Sequence, residues 1–350
     1  MIGRRPLLAA LPALLLAPRA LALPERRIVF PADHGAHPEL RTEWWYITGH
    51  AQAQGRSFGF QVTFFRSRVD ATQGMQSRFA AKQLVFAHAA VTDVHGGKLW
   101  HDQRIARAGF GIAEAATGEA RLRLRDWSLQ RDAAGWHAVV PAAGFALDLR
   151  CAATQPVLLQ GRAGLSRKGP QEEQASYYYS EPQLAVSGRL ALRGTEFQVQ
   201  GKAWMDHEWS EALMHPEAVG WDWIGMNLHD GSALTAFRLR RKDGSTLWDG
   251  GSFRSAGGSL YVASPGETEF SPQKRWTSPA TNASYPVEWL VRTPADIYTV
   301  RAVLPNQELD SRGSTGAVYW EGLSDLIDGN GKSVGKGYLE MTGYASPLRL

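Results

Sequence analysis

Residues 201–231, GKAWMDHEWSEALMHPEAVGWDWIGMNLHDG, concentrate ionisable side chains among tryptophans as no other part of the chain does. The pattern predicts a strand through Trp209, a short connector, and a second strand that opens at Trp221 and ends at the Asp230-Gly231 turn. Carboxyl and imidazole groups packed against indole rings often have displaced pKa values, which suits them to acid or base work. A structural Asp–His hydrogen bond in a tryptophan-rich barrel is an equally good interpretation of these residues alone.

Alternate residues of a strand point to opposite faces, so the first strand divides into two sets. One face carries Met205, His207 and Trp209. The other carries Trp204, Asp206 and Glu208. Asp206 and His207 therefore point in opposite directions unless a β-bulge brings them together. On this basis we expect an aromatic pocket with a few polar groups, lined by His207, Trp209, Trp223 and Asn227.

The remainder of the chain reads as short strands at even spacing. Examples are TEWWYITGHAQ (42–52), FGFQVTFFRSR (58–68) and YYYSEPQLAVSGRLAL (177–192). Long helical periodicity and fixed-period repeats are lacking, so the fold class is all-β, a sandwich or barrel. The polar segment 165–176, LSRKGPQEEQAS, predicts a boundary between an N-terminal domain of residues 23–175 and a C-terminal domain of residues 176–350.

Residues 1–22 have the pattern of a secretory signal peptide, with Arg4 and Arg5 before an apolar run that is too short to span a bilayer. A Sec signal fits better than a twin-arginine signal, and the location expected is periplasmic or secreted. Without this leader the formal net charge falls from +4 to +1, because three arginines lie in it and no acid does. No long Lys/Arg block and no transmembrane segment follow, which argues against nucleic acid or an anionic membrane as partner.

Familiar catalytic signatures are lacking. The sequence has no G-x-S-x-G elbow, no phosphate-binding G-x-x-x-x-G-K-[ST] loop and no H-E-x-x-H helix. Cys151 is the single cysteine, which leaves no internal disulfide and no thiolate metal cage. His207, Glu211 and His215 could be imagined as metal ligands, but Pro216 and the short connector favour a solvated loop. We expect neither a metal nor another cofactor.

The motifs EWWYITGH, FGFQVTFFR, AHAAVTD, YYYSEPQLAVSGRL, GKAWMDHEW and GWDWIGMNLHDG together resemble the AttH-like secreted proteins grouped with carotenoid 1,2-hydratase (hydroxyneurosporene synthase). The resemblance covers nearly the whole chain after the leader. It implies two consecutive lipocalin-like antiparallel β-barrel domains. Family members are described as hydratases or secreted hydrolases, and some relatives catalyse pericyclic reactions. The D-H-x-W motif of the hydratases maps onto Asp206, His207 and Trp209.

The resemblance implies hydration of a C=C bond in an apolar isoprenoid or lipid. Protonation of an alkene carbon needs an acid that stays neutral, and a carboxyl desolvated beside tryptophan can do so. We assign Asp206 as the acid, His207 as its partner or the base that activates water, and Trp209 as a ring that stabilises the carbocation. The residues expected to bind substrate are Trp44, Tyr46, Gln61, His88, Tyr179, Trp221, Trp223 and Asn227. Taken alone, His88 is more typical of a hydrogen-bonded core histidine.

The same sequence is also compatible with two other functions. A non-catalytic periplasmic lipid carrier, working with an envelope ABC transporter, would need the apolar pocket but no acid. A secreted hydrolase would need Ser180 or Ser210 beside His207. A carboxyl group facing the cavity favours an enzyme over a carrier.

Overall fold

The structure is a computed structural model that describes residues 22–348. The predicted signal peptide lies almost wholly outside these described residues, so its prediction is untested. The described chain folds almost entirely as antiparallel strands, with 3-10 turns at Ala32–His34 and Asp70–Thr72. The all-β prediction is confirmed. None of the helical segments within residues 22–348 has the length and apolar character needed to cross a membrane.

The first sheet runs from the start of the described strands to the middle of the chain. Its strands are β1 (Thr42–Ala53), β2 (Arg56–Arg68), β3 (Gln83–Asp93), β4 (Lys98–Arg107), β5 (Ala113–Ala115), β6 (Arg121–Leu124), β7 (Trp127–Asp132), β8 (Gly135–Ala142), β9 (Phe145–Ala152), β10 (Leu158–Leu159), β11 (Leu165–Arg167), β12 (Ala175–Leu192) and β13 (Thr195–Ala212). The main path is β4-β3-β2-β1-β13-β12-β9-β8-β7-β6-β5, with β10 and β11 also paired to β12.

This sheet curls into a nearly closed barrel, because β5 and β6 return to contact β3 and β4 without pairing to them. The alternation of β2 explains the packed interior. Phe58, Phe60, Val62 and Phe64 all point inward and are buried. The N-terminal arm, residues 22–41, contributes Ile28 to the same core. The barrel interior is therefore filled by side chains and by the arm.

The second sheet takes up the rest of the described chain. Its strands are β14 (Gly220–Leu228), β15 (Ala233–Arg240), β16 (Thr246–Arg254), β17 (Leu260–Ala263), β18 (Glu269–Pro272), β21 (Glu288–Arg292), β22 (Ile297–Ala302), β23 (Glu308–Ser311), β24 (Ala317–Ile327) and β25 (Ser333–Met341), with β19 (Arg275–Thr277) and β20 (Ser284–Pro286) as a separate ribbon. The path is β17-β16-β15-β14-β25-β24-β22-β21-β18. Ile224, Met226 and Trp289 lie in its own core.

The chain passes from one sheet to the other between Ala212 and Gly220, later than the boundary predicted after residue 175. The polar segment 165–176 does contain a loop, but β12 and β13 follow it and pair with β9 and β1 of the first sheet. Local polarity marks a turn, whereas the sheet that a strand joins depends on long-range pairing. The region predicted as one domain boundary is thus internal to the first sheet.

Side chains on the outer face of the first sheet hold the second sheet in place. Tyr46 and Trp204 pack against Trp223 in a cluster shared by both sheets. A bulge in β12 between Glu181 and Leu184 turns Gln183 toward the second sheet. There its amide donates to the carbonyl oxygens of Leu228 and Ser232 at 2.9 and 2.8 Å.

Candidate functional site

A cavity of about 330 Å³ lies between the two sheets. β1, β2, β3 and β13 form one wall with their outer faces, and β14, β15, β24 and β25 form the other. Its apolar lining is rich in rings, contributed by Trp44, Phe65, Phe86, Trp221, Trp223 and Phe237. The volume is near the lower end of the usual range for ligand pockets, which suits a small apolar molecule or one end of a long one.

Asp206 is a buried carboxyl of β13 that faces this cavity, and it is 3% exposed. Its Oδ1 accepts hydrogen bonds from Ser180 Oγ at 2.5 Å and Trp204 Nε1 at 2.6 Å. Its Oδ2 accepts one from the Tyr178 hydroxyl at 2.7 Å. A carboxylate offers about four lone-pair positions, so one position on Oδ2 remains for a proton.

Burial raises the pKa of Asp206 from an ordinary 3.8 to about 7. The three hydrogen bonds act in the opposite direction, and the nearby Glu208 carboxylate adds to the rise. Desolvation penalises the charged form more than these donors stabilise it. Near neutral pH the side chain therefore exists both as an acid and as its conjugate base.

Two further carboxyls, Glu321 and Glu340, stand across the cavity on neighbouring strands. They are directly paired in the register of β24 with β25, and both line the cavity. Burial, and for Glu321 also the proximity of Glu340, raises the pKa of both carboxyls. The Tyr46 hydroxyl and the Glu321 carboxyl are both buried at the cavity wall, close enough that each shifts the pKa of the other. The cavity thus presents carboxyl and phenol groups to an occupant.

A fourth carboxyl, Glu208, is held in an ion pair. Lys168 Nζ lies 3.0 Å from its Oε1, and the hydroxyl of Ser176 also donates to it. The Lys168 ammonium lies 4.2 Å from the centre of the Phe237 ring and 4.7 Å from that of Tyr178. This cation links the first sheet to β15, and its contacts with rings are favourable where water is excluded.

His88 also faces the cavity, but as part of a hydrogen-bonded bridge between the sheets. Its Nδ1 lies 2.7 Å from the Tyr319 hydroxyl and its Nε2 lies 2.8 Å from Ser314 Oγ. Burial lowers its pKa to about 3, so the ring is neutral near pH 7. His88 is therefore a hydrogen-bonded core histidine, as its sequence context taken alone suggested, and it lies at the cavity wall.

His207 and Trp209 lie on the other face of β13, inside the first barrel. His207 Nε2 is 2.9 Å from Glu43 Oε1, and its Nδ1 is 3.1 Å from the Asp33 carbonyl oxygen. The Trp209 ring stacks on His37 with centroids 4.1 Å apart. β1 and β13 pair without a register shift, so no bulge turns His207 toward Asp206. Neither His207 nor Trp209 lines the cavity, because strand alternation keeps them on the barrel side.

His37, Glu43 and His207 form a cluster whose ligand-type atoms all lie within 4.8 Å of one another. The cluster fits a metal ion poorly. Glu43 already accepts hydrogen bonds from both imidazoles and is paired with Arg66 Nε at 2.8 Å. Burial opposes ionisation of Glu43 most strongly, but the hydrogen bonds from His207 and His37 lower its pKa well below the usual range. We interpret the cluster as the anchor that ties the N-terminal arm into the barrel.

The remaining sequence-predicted residues divide between the cavity and other places. Those that line the cavity are Trp44, Tyr46, Gln61, Trp221 and Trp223. Tyr179 lies in the barrel core, where its hydroxyl is 2.6 Å from His34 Nδ1. Asn227 joins the sheets through Gln183 and borders a separate polar groove. The expected pocket of His207, Trp209, Trp223 and Asn227 is not formed, because only Trp223 of that set reaches the cavity.

The serines considered for a hydrolase are engaged elsewhere. Ser180 donates to Asp206, and Ser210 donates to the carbonyl oxygen of Ala175 at 2.6 Å. Both ring nitrogens of His207 are used by other partners, so neither serine forms a nucleophile and base pair with it. The geometry gives ester hydrolysis at this motif no support.

Sequence reasoning missed several residues of the site, and the signal for them was weak. Tyr178, Lys168, Glu321 and Glu340 each contribute a polar group. The two glutamates stand alone inside apolar strands, in YWEGL and YLEM, where a buried carboxyl needs an explanation. Their proximity to Asp206 depends on strand pairing, which one sequence does not give.

A family model described as AttH-like matches residues 21–344. The chain belongs to the AttH-like family. The resemblance found in the sequence motifs is thereby confirmed. A search of curated protein sequences found no match.

Solved structures agree with this assignment. A crystal structure of an AttH candidate from Nitrosomonas europaea is 44% identical, has a TM-score of 0.86, and aligns over 94% of this AttH-like chain and 100% of its own. Kievitone hydratase from Nectria haematococca is 12% identical with a TM-score of 0.71, over 91% and 94% of the two chains. CghA is 15% identical with a TM-score of 0.53, over 88% and 90%. The last two similarities concern the fold.

Proposed function

We propose that this AttH-like protein is a cofactor-independent hydratase that adds water to a C=C bond of an apolar isoprenoid or lipid in the cavity between its sheets. The observation that carries the proposal is the Asp206 carboxyl, which faces an aromatic cavity and has a pKa raised to about 7. A general acid works best when its pKa is near the working pH. That one structural neighbour is a hydratase, kievitone hydratase, agrees with this chemistry.

In the proposed reaction the proton on Asp206 Oδ2 is transferred to the less substituted alkene carbon. The π electrons form the new C–H bond and leave a tertiary carbocation at the other carbon. A water molecule adds its oxygen to that cation, and a proton from the resulting oxonium returns to the carboxylate. The products are the alcohol and the regenerated acid, so atoms and charge balance.

The walls of the cavity supply the other requirements. Rings of Trp44, Trp221 and Trp223 can face the developing cation, an interaction worth about 2 kcal/mol or more when desolvated. Glu321 and Glu340, across the cavity, can accept a hydrogen bond from the attacking water and so position it. His207 and Trp209 lie on the barrel side of β13. They hold in place the strand that carries Asp206 and do not contact substrate.

The test is turnover of prenylated and linear isoprenoid alkenes in water enriched in ¹⁸O, followed by mass spectrometry. Wild-type protein is expected to give an alcohol that carries the label. Asp206→Asn keeps the size of the side chain but removes the acid, and should slow turnover by at least about a hundredfold. Asp325→Asn is the control, since Asp325 lies on β24 outside the cavity in a partly exposed ion pair with Lys336, and its loss should leave fold and turnover unchanged.

The carrier hypothesis makes a different forecast in the same experiment. Wild type and Asp206→Asn would both retain the same unmodified lipid after purification, and neither would form labelled alcohol. That result would exclude hydration of the substrates tried and favour a carrier that hands its ligand to an envelope transporter.

A further inference from the structure

An exposed apolar patch, which we call the aromatic rim, lies beside the cavity on the first sheet. Its members are Phe79, Ile105, Phe110 and Ile112, with relative exposures of 67, 37, 48 and 38%. Phe79 and Phe110 stack with ring centroids 5.6 Å apart and planes inclined by only 7°. Two stacked and largely solvent-exposed rings are unusual on a water-facing surface, and contiguous patches of this kind mark interaction sites.

Two arginines lie against the rim, and neither forms an ion pair with a carboxylate of residues 22–348. The Arg78 guanidinium lies over Phe79 and Phe110, at 5.5 and 5.7 Å from their ring centres. Arg107 lies 4.3 Å from the centre of the Phe110 ring. Its side chain donates to the backbone carbonyls of Arg78 and Phe79, which are neutral acceptors. Positive charge and exposed aromatic surface are thus presented together.

The rim continues into the cavity. Ile105 belongs to both, since it lines the cavity and is also exposed. On the adjacent strand, Leu84 and Phe86 line the cavity, directly opposite Arg107 and Ile105 in the register of β3 with β4. An apolar path therefore leads from the stacked rings, along the ends of β3 and β4, to the interior.

We propose that the aromatic rim docks on a lipid bilayer surface that bears anionic headgroups, and that it sets the mouth of the cavity against the acyl region. Aromatic rings prefer the boundary between headgroups and acyl chains, and arginines beside them are attracted to anionic lipid. A single protein partner would also bury the rings, but the continuity of the rim with an apolar cavity favours a source of apolar ligand.

No sequence pattern indicated this surface, since no Lys/Arg block follows the leader. Folding gathers the charges from separate segments. Arg78 comes from the loop before β3, Arg107 from the end of β4, and Arg123 from β6. The Arg123 guanidinium lies close to Gly111, the residue after Phe110 of the rim. From the sequence we expected no anionic membrane as a partner. This proposal departs from that expectation.

The experiment is flotation of the purified protein with vesicles of phosphatidylcholine, either alone or mixed with phosphatidylglycerol. Wild type and all variants begin at the same N-terminal residue. Wild type is expected to float with the anionic vesicles, and less so at high salt. The double variant Phe79→Glu/Phe110→Glu should lose at least about tenfold in partitioning, because it removes the exposed rings and adds negative charge. Arg78→Gln should lose about fivefold.

A matched control places the same change on another face. Leu290 and Ile297 are 41 and 45% exposed on β21 and β22, and Leu290→Glu/Ile297→Glu should bind vesicles like wild type. Circular dichroism of all variants verifies the fold.

Failure of wild type to float with anionic vesicles, or equal binding by the rim variant, would overturn the proposal. Rim-dependent capture of a protein without vesicle binding would overturn it in favour of a protein partner. Hydration of a dispersed short alkene does not require the rim, so the two proposals can fail separately.

Discussion

Two opposing effects act on the pKa of Asp206, and their balance lets this side chain act as an acid near neutral pH. Its three donors stabilise the carboxylate, while complete enclosure between two sheets destabilises it. Since the effect of burial exceeds that of the hydrogen bonds, the pKa rises to about 7. Each donor therefore also sets the pH range in which the acid is available.

The substitution Tyr178→Phe removes the hydroxyl that donates a hydrogen bond to Oδ2 of Asp206. The carboxylate then loses a stabilising hydrogen bond, so the pKa of Asp206 should rise further. A general acid is active below its pKa and is lost as pH rises through it. The falling limb of the rate profile should therefore move to higher pH by about one to two units.

Tyr177→Phe is the control for this change, because Tyr177 is the preceding residue and its hydroxyl donates to the Pro24 carbonyl on the barrel side. Its pH profile of turnover should match wild type. Coincident profiles for Tyr178→Phe and wild type would show that the acid is not Asp206.

Strand β13 serves two structures at once. Its outward residues build the cavity, and its inward residues anchor the N-terminal arm. Gly225 of β14 shows how closely the two sheets fit, since a Cβ there would come within 3.2 Å of the Trp204 ring on β13, and within 2.3 Å of the Trp223 ring on its own strand. The D-H-x-W motif is thus a strand signature in which one residue faces the cavity and two secure the wall behind it.

The anchor of the arm can be tested with Glu43→Gln. Glu43 is fully buried and is the carboxylate that Arg66, His37 and His207 share. Without it a buried guanidinium has lost its counter-charge, so the free energy of unfolding should fall by about 3–5 kcal/mol. Chemical denaturation measures this fall, and cleavage of the arm by a protease should become faster.

The comparison is Glu211→Gln, at the end of β13. Glu211 is 28% exposed and pairs with Arg68, so the loss should be about 1 kcal/mol or less. Similar losses for the two variants would contradict the role given to the buried cluster.

At the scale of the whole molecule, the cavity exists only because two sheets with separate cores face each other. A ligand held there contacts both and should stabilise them jointly. A saturated C10 isoprenoid alcohol, which has no alkene to hydrate, should raise the free energy of unfolding by about 2.7 kcal/mol at a hundred times its Kd.

Denaturation followed by tryptophan fluorescence, with and without this alcohol, measures the change. Phe86→Glu places a charge in the apolar wall and should abolish the shift, whereas Leu290→Glu on a distant surface should preserve it. An equal shift in both variants would place the ligand elsewhere.

The sequence by itself determined the all-β class, the positions of the longer strands and the two faces of β13, because side-chain alternation is a local property. Its motifs also identified the family. Only the tertiary structure decided which face of β13 meets a cavity, that Glu321 and Glu340 stand opposite Asp206, and where one sheet gives way to the other. These features depend on which strands pair and how two sheets pack, and those contacts join residues far apart in the chain.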